Sequence, residues 1–144
     1  MIASFDLTGR RALITGAGSP TGIGFATAAL LGRMGATVHV TATTDRISER
    51  VAQLRAAGIE ATGSVADLTV EDQVQSLPTE VDLLVNNAGM ISVGNSFEDG
   101  SLADMSLATW QAGLRRNLDT AFLVSRHVLP EMARRGWGRV VNVA

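Results

Sequence analysis

The stretch from Ala12 to Gly24 constrains the fold more than any other part of the chain. An apolar run, Ala12-Leu13-Ile14, passes through Thr15-Gly16-Ala17-Gly18-Ser19-Pro20-Thr21-Gly22 into an apolar helical pattern carried by Ile23, Phe25, Ala26, Ala29 and Leu30. In such a glycine-rich strand-to-helix turn, backbone N–H groups can come close to an anion because no Cβ stands in the way. The first helical turn leaves its own N–H groups unpaired, and the helix dipole favours a negative charge there by about 0.3–1 kcal/mol. The turn predicts a phosphate cradle of the kind that holds a dinucleotide. Taken alone it also fits a purely structural turn, because the G-x-G-x-x-G spacing fails at its third position, Thr21.

The rest of the chain alternates short apolar runs with helical patterns. Strands are expected at residues 11–15, 37–42, 60–65, 81–86 and 138–143, and helices near 22–34, 46–57, 70–76, 103–116 and 118–135. Strands separated by helices predict parallel βαβ units, hence an α/β fold: a doubly wound parallel sheet with helices on both faces. Gly35 and Gly58 mark helix exits, where the backbone turns left-handed. Pro130 falls inside the last helical pattern and is expected to kink or divide it. Residues 90–102 form the least regular stretch and are expected to be a functional loop.

Composition narrows the function. With 46% hydrophobic and 18% charged residues, the chain is not of the disordered type. A net charge of −2, with basic residues clustering no further than pairs such as Arg134-Arg135, gives no footprint for nucleic acid. No apolar run approaches the roughly 20 residues of a membrane span, and no leader pattern opens the chain. The absence of cysteine removes disulfides, Cys-zinc sites and thiol nucleophiles. A soluble, cytoplasmic protein is expected. All 12 basic residues are arginine, and tyrosine is absent.

A second motif lies at the end of the fourth strand, Asn86-Asn87-Ala88-Gly89. Ligands of open parallel sheets sit beyond the carboxyl ends of the strands, and two carboxamides followed by two small residues offer hydrogen bonds and room for a flat ring. An ordinary Asn-rich turn would read the same way in isolation. Together, Thr15-Gly16, Gly22-Ile23-Gly24, Asn86-Asn87-Ala88-Gly89, Trp110, Asn117-Leu118-Asp119-Thr120-Ala121-Phe122 and Gly138-Arg139-Val140-Val141-Asn142-Val143 resemble the short-chain dehydrogenase/reductase (SDR) family. The glycine turn departs from the family pattern, with five residues instead of three between Gly16 and Gly22 and Pro20 stiffening the longer loop. That length also occurs in the divergent enoyl-reductase branch, but the Asn86–Gly89 motif and Asn117 favour the main branch.

The resemblance implies a Rossmann-type sheet spanning residues 1–144, truncated after its fifth strand, with Gly16, Ser19, Thr21, Gly22, Ile23 and Gly24 around the cofactor phosphates. In the family, an acid at the end of the second strand marks NAD, since a carboxylate there would repel a 2′-phosphate. Here that position is Ala42, followed by Thr43, Thr44, Asp45 and Arg46. NADP is expected, with Thr43, Thr44 and Arg46 near the phosphate; Asp45 keeps NAD open as the alternative. Asp67 and Leu68 would flank the adenine, and Asn87, Ala88 and Gly89 would line the adenine-ribose region. Asp67 has a second reading as a helix N-cap, a role for which Thr69 is better placed.

Catalysis in the family uses Asn, Ser, Tyr and Lys: Tyr exchanges a proton with the substrate oxygen, Lys lowers the Tyr pKa, Ser orients the carbonyl, and Asn holds a relay water. Asn117 matches the Asn; its other reading is a buried polar helix residue that needs hydrogen-bond partners. By resemblance Ser would follow Ala144, with Tyr and Lys further on, so these 144 residues alone are expected to be inactive and to leave an apolar strand edge. His39 and His127 are expected to be structural, and no metal site is expected. The implied reaction is hydride exchange between NADP(H) and a small carbonyl or alcohol substrate, with 3-oxoacyl thioesters as a candidate class. The alternative is a catalytically inactive dinucleotide-binding or sensor module. A homo-oligomer, dimer or tetramer, built partly on residues 103–135 is also implied.

Overall fold

A computed structural model describes residues 5–89 and 101–144. Strands β1 (Arg11–Ile14), β2 (Thr37–Ala42), β3 (Ala61–Val65), β4 (Leu83–Asn86) and β5 (Arg139–Asn142) alternate with helices α1 (Ile23–Arg33), α2 (Arg46–Ala56), α3 (Glu71–Gln75), α4 (Leu107–Leu114) and α5 (Thr120–Arg135). The strands form one sheet in the order β3-β2-β1-β4-β5, and each neighbouring pair is parallel. The expected α/β architecture is what the chain adopts.

The period of two along a strand sorts the core into two layers. Ile14, Val38 and Val40 pack with Ala28, Ile47 and Leu54 beneath α1 and α2. Leu13 and Leu84 turn the other way, onto Leu68, Val74, Leu77, Val124, Val128 and Met132 of the α3 and α5 side. Leu13, Ile14, Leu54 and Leu84 are fully buried, each contributing roughly 1.5–3 kcal/mol. β3 and β5 are the two sheet edges, and β5 is exposed throughout its length.

The chain leaves β1 for β2 and β3 on one side, then crosses to β4 on the other. The switch point between β1 and β4 opens a crevice at their carboxyl ends, where open α/β sheets take their ligands. At the opposite end, Asp82 is buried and accepts the Arg11 backbone N–H at 2.8 Å and an Arg135 guanidinium N–H at 2.6 Å. Burial alone would push the Asp82 carboxyl up, but these donors and the nearby positive charges hold it below the usual carboxylate value.

Helix α1 gives way to Gly35 and α2 to Gly58, both with positive φ, as expected. Three local expectations are corrected. Of the two expected effects of Pro130, division does not occur: α5 runs through it, with Val128 and Met132 buried on either side. The sacrifice is one backbone hydrogen bond on an exposed face, which the buried stripe offsets. The two expected helices over 103–116 and 118–135 form one rod, joined by a π-helical segment at Arg115–Asp119. Finally, the N-cap position of α3 is Val70, without a side-chain cap, rather than Thr69 or Asp67. Of the expected loop over 90–102, residues 90–100 lie outside the described residues.

Candidate functional site

Thr15 is the first residue beyond β1, and its side chain is buried. Its backbone N–H donates to the Val85 carbonyl at 3.0 Å, carrying the β1–β4 pairing one step past the strand. Its Oγ1 donates to the same carbonyl at 3.3 Å and accepts the N–H groups of Asn87 and Ala88, each at 3.0 Å. Asn87 answers with its side chain, Nδ2 donating to the carbonyls of Thr15 at 3.1 Å and Gly16 at 3.0 Å. The glycine turn is thereby locked to the end of β4.

Gly16 sits at φ +70°, and a Cβ there would lie 2.8 Å from the Ala88 Cα. A Cβ on Gly24 would fall 2.7 Å from both the Gly16 carbonyl oxygen and Asn87 Nδ2. No side chain fits at either position, so the turn keeps its backbone close to the helix start. Gly22 occupies the N-cap of α1 with no side-chain cap, and the first turn holds no acid. Its N–H donates to the Ser19 carbonyl at 3.2 Å, folding the two additional residues into a compact bend. The Ser19 and Thr21 hydroxyls are exposed, 3.5 Å apart, and Ile23 is an exposed apolar residue on the first helical turn. Uncapped N–H groups, hydroxyls and backbone without Cβ atoms fit a pyrophosphate.

The rim of the crevice comes from β2 and β3. Thr41 is buried, its carbonyl accepts the Ala17 N–H at 2.8 Å, and its Oγ1 has no partner among the described residues. Ala42 stands where a Cβ on Gly18 would meet it at 2.9 Å, so the second strand closes against the turn with no carboxylate. Thr43, Thr44, Asp45 and Arg46 are exposed, and Arg46 Nε donates to Thr44 Oγ1 at 3.3 Å. Asp67, exposed after β3, is oriented by Thr69, whose backbone N–H and hydroxyl donate to its Oδ1 at 2.9 and 2.7 Å. The Leu68 side chain is buried in the core.

Asn117 lies in the π-helical segment and is exposed, so its reading as a buried polar residue is corrected. A π turn directs N–H groups five residues back. The Gly113 carbonyl accepts Asn117 Nδ2 at 3.0 Å, and the Arg116 carbonyl accepts the Thr120 hydroxyl at 2.8 Å. A Cβ on Gly89 would stand 2.5 Å from Asn117 Oδ1, which places Asn117 against the end of the β4 motif. Asn86, the first residue of that motif, is buried; its Nδ2 donates to Ser125 Oγ at 3.0 Å and Asn142 Oδ1 at 2.9 Å, tying β4 to α5 and β5.

The structure brings the glycine turn, the β4 motif, the ends of β2 and β3, and Asn117 to one end of the sheet. His39 lies apart, with Nδ1 2.8 Å from Thr62 Oγ1 and Nε2 2.9 Å from Ser64 Oγ. Burial pushes its pKa down. His127 Nε2 donates to the Leu77 carbonyl at 2.8 Å, inside the helix packing. Sequence reasoning missed the parts played by Thr15 and Thr41. A threonine at a strand end reads simply as β-branched, and only the pairing of strands shows its hydroxyl to be buried.

Known proteins share this arrangement. The chain is 34% identical over 148 residues to the 2-dehydro-3-deoxy-D-gluconate 5-dehydrogenase of Formosa agariphila, covering 96% of this chain and 53% of that protein. It is 35% identical over 147 residues to the 3-oxoacyl-[acyl-carrier-protein] reductase FabG of Aquifex aeolicus, covering 96% and 56%. A gluconate 5-dehydrogenase from Burkholderia cenocepacia, solved in complex with NADP and tartrate, superposes with a TM-score of 0.81 at 32% identity, covering 96% of this chain and 55% of that one. The chain thus spans about half the length of the curated relatives it matches. The family model described as short chain dehydrogenase matches residues 10–144. With that match, the clasped glycine turn and the Asn86–Gly89 motif at one crevice find their common explanation: the chain belongs to the short-chain dehydrogenase family.

Proposed function

We propose that residues 1–144 form the cofactor-binding part of an SDR oxidoreductase that uses NADP(H) to interconvert a carbonyl and an alcohol. The observation that carries this reading is the turn at Gly16–Gly24, closed to any Cβ by Ala88 and Asn87 and opening on an uncapped helix. The residues present fit the cofactor. Gly16, Ser19, Thr21, Gly22, Ile23 and Gly24 would hold its pyrophosphate, Asp67 and the Leu68 backbone its adenine, and Asn87, Ala88 and Gly89 the adjoining ribose. When bound, the nicotinamide supplies the hydride.

Preference for NADP over NAD follows from charge. Ala42 leaves the second strand without a carboxylate, and Thr43, Thr44 and Arg46 are exposed beside it. A 2′-phosphate meets hydroxyls and a guanidinium there instead of a like charge. The NADP complex of the Burkholderia cenocepacia relative supports the same choice. Titration with NADP and NAD, followed by calorimetry, tests it: the NADP dissociation constant is expected to be lower, and a lower value for NAD overturns the reading.

Asn117 takes the relay position, where its side chain braces the π-helical turn beside Gly89. The substrate class we favour is the 3-oxoacyl thioester, on likeness to the Aquifex aeolicus reductase; the gluconate dehydrogenase relative makes a sugar acid the competing class. These residues contain neither Tyr nor Lys, which supports cofactor binding without turnover for this stretch by itself. Self-association is part of the proposal: Leu107, Trp110, Leu114, Leu118 and Phe122 are 39–69% exposed at helical spacing along α4, the π segment and α5. Light scattering that returned a monomer at micromolar concentration would refute it.

A further inference from the structure

Among the described residues, two of opposite charge are buried, and they are treated differently. Asp82 is surrounded by Arg10, Arg11 and Arg135. Arg50 is just 5% exposed, yet its single ionic partner among the described residues is Glu49, 2.7 Å away and 70% exposed. The Arg50 Nε is buried without a hydrogen-bond partner among the described residues. A buried cation so poorly matched is costly unless an anion completes it.

Its position says which anion. Arg50 lies in the second turn of α2, and its guanidinium sits 5.8 Å from the ring of Phe25 in the first turn of α1. It therefore stands between the starts of the two helices that flank the ends of β1 and β2. Helical side chains lean toward the N-terminus, which directs Arg50 toward the turn of Arg46, four residues earlier on the same side. Arg46 has no acidic partner among the described residues; its guanidinium bonds to Thr44. Two arginines one turn apart repel one another mildly until an anion lies between them.

We infer that Arg50 is a second cation for the cofactor 2′-phosphate and that Glu49 is the resident anion opposing it. The inference rests on the NADP reading above. Arg46 meets the phosphate from the exposed side and Arg50 from the buried side of α2, where lower solvent screening strengthens its pull. Glu49 neutralises Arg50 when no phosphate is present and repels the phosphate on its approach. Affinity for NAD, which has no 2′-phosphate, is independent of all three residues.

Calorimetric titration of the full chain with NADP, NAD, 2′,5′-ADP and 5′-AMP tests this on the wild type and on Arg50→Met, Arg46→Gln and Glu49→Gln. Arg50→Met keeps the apolar stem, and is expected to weaken NADP and 2′,5′-ADP by about tenfold, as for loss of one charge-assisted bond, with NAD and 5′-AMP within about twofold. Glu49→Gln is expected to tighten NADP severalfold and leave NAD unchanged. If Arg50→Met weakens NAD and NADP alike, or changes neither, the inference falls and Arg50 is a packing residue. Should Arg50→Met fail to fold, the Glu49→Gln arm decides, and unchanged NADP affinity there overturns the inference. A wild type that prefers NAD, by contrast, defeats the NADP reading itself.

Discussion

Asn87 and Thr15 hold one another reciprocally: the Asn87 backbone N–H donates to Thr15 Oγ1 at 3.0 Å, and Asn87 Nδ2 donates back to the Thr15 carbonyl at 3.1 Å. The pair joins the ends of two adjacent parallel strands where the ladder has run out. It fixes the glycine turn without any side chain from Gly16 to Gly24 taking part.

Replacing Thr15 by Val keeps the shape and removes the hydroxyl that three backbone groups use. Leaving the Asn87 and Ala88 N–H groups unpaired is expected to cost about 1–3 kcal/mol in urea unfolding, with the slope unchanged. Thr15→Ser retains the oxygen and should recover most of the loss. Equal stability of Thr15→Val and wild type would remove the clasp from the account of the fold.

Gly24→Ala is expected to be far more damaging than Gly22→Ala. The Cβ at Gly24 meets the Gly16 carbonyl at 2.7 Å, whereas that at Gly22 meets Ser19 Cβ at 3.1 Å, on an exposed bend. Overpacking at Gly24 should cost about 1–3 kcal/mol and, by shifting the turn, weaken NADP binding at least tenfold. Thermal melts and calorimetry on both variants check the order.

Gly89→Ala couples backbone to site. Its Cβ would press on the Asn117 carboxamide, the free end of a side chain, and the Gly89 φ of +157° adds backbone strain, so Asn117 moves and some stability is lost. The expected signature is a displaced Asn117 side-chain resonance in a proton–nitrogen correlation spectrum, reporting loss of its bond to the Gly113 carbonyl. An unmoved resonance would mean that Gly89 and Asn117 are not coupled.

Acid sensitivity should begin with His39. Burial lowers its folded-state pKa below the unfolded value of 6.5. As pH falls, the unfolded chain takes up the proton first, so the stability that depends on a neutral ring is complete above 6.5 and is lost from there down to the folded pKa. Asp82, also lowered, extends the loss below its unfolded value of 3.8, as the carboxylate shared by the arginines is protonated. Melting temperatures of wild type and His39→Gln from about pH 8 to about pH 5 should diverge only through the upper window. Parallel curves would show that His39 does not titrate with folding.

Much of this fold was legible because β1, β4 and β5 are short runs rich in Leu, Ile and Val, closed by a Gly or Asn, so local pattern and final sheet agree. The glycine turn and the Asn86–Gly89 motif were equally plain, being contiguous. What escaped depends on contacts between segments distant in sequence. Arg50 reads as a solvated helix arginine until α1 lays Phe25 over it. Ser125 reads as an ordinary helix serine until Asn86 reaches it. Pro130 looks like a breaker because the sequence does not display the buried Val124, Val128 and Met132 that hold the rod together. Gly113 stands two residues before the π segment, but a lone Gly inside a helical pattern does not announce one.

That segment has a consequence for how the long rod tolerates change. An α-helix advances about 100° per residue, so one residue added or removed swings everything beyond it to a new face. A π turn absorbs a residue locally and lets the helices on either side keep their headings. Shortening Arg115–Asp119 by one residue would give a more regular rod, yet it would rotate Val124, Val128 and Met132 away from Leu13 and Leu84. The irregular turn beside Asn117 is thus the joint that keeps α5 in phase with the sheet, and the packing of α5 fixes its length.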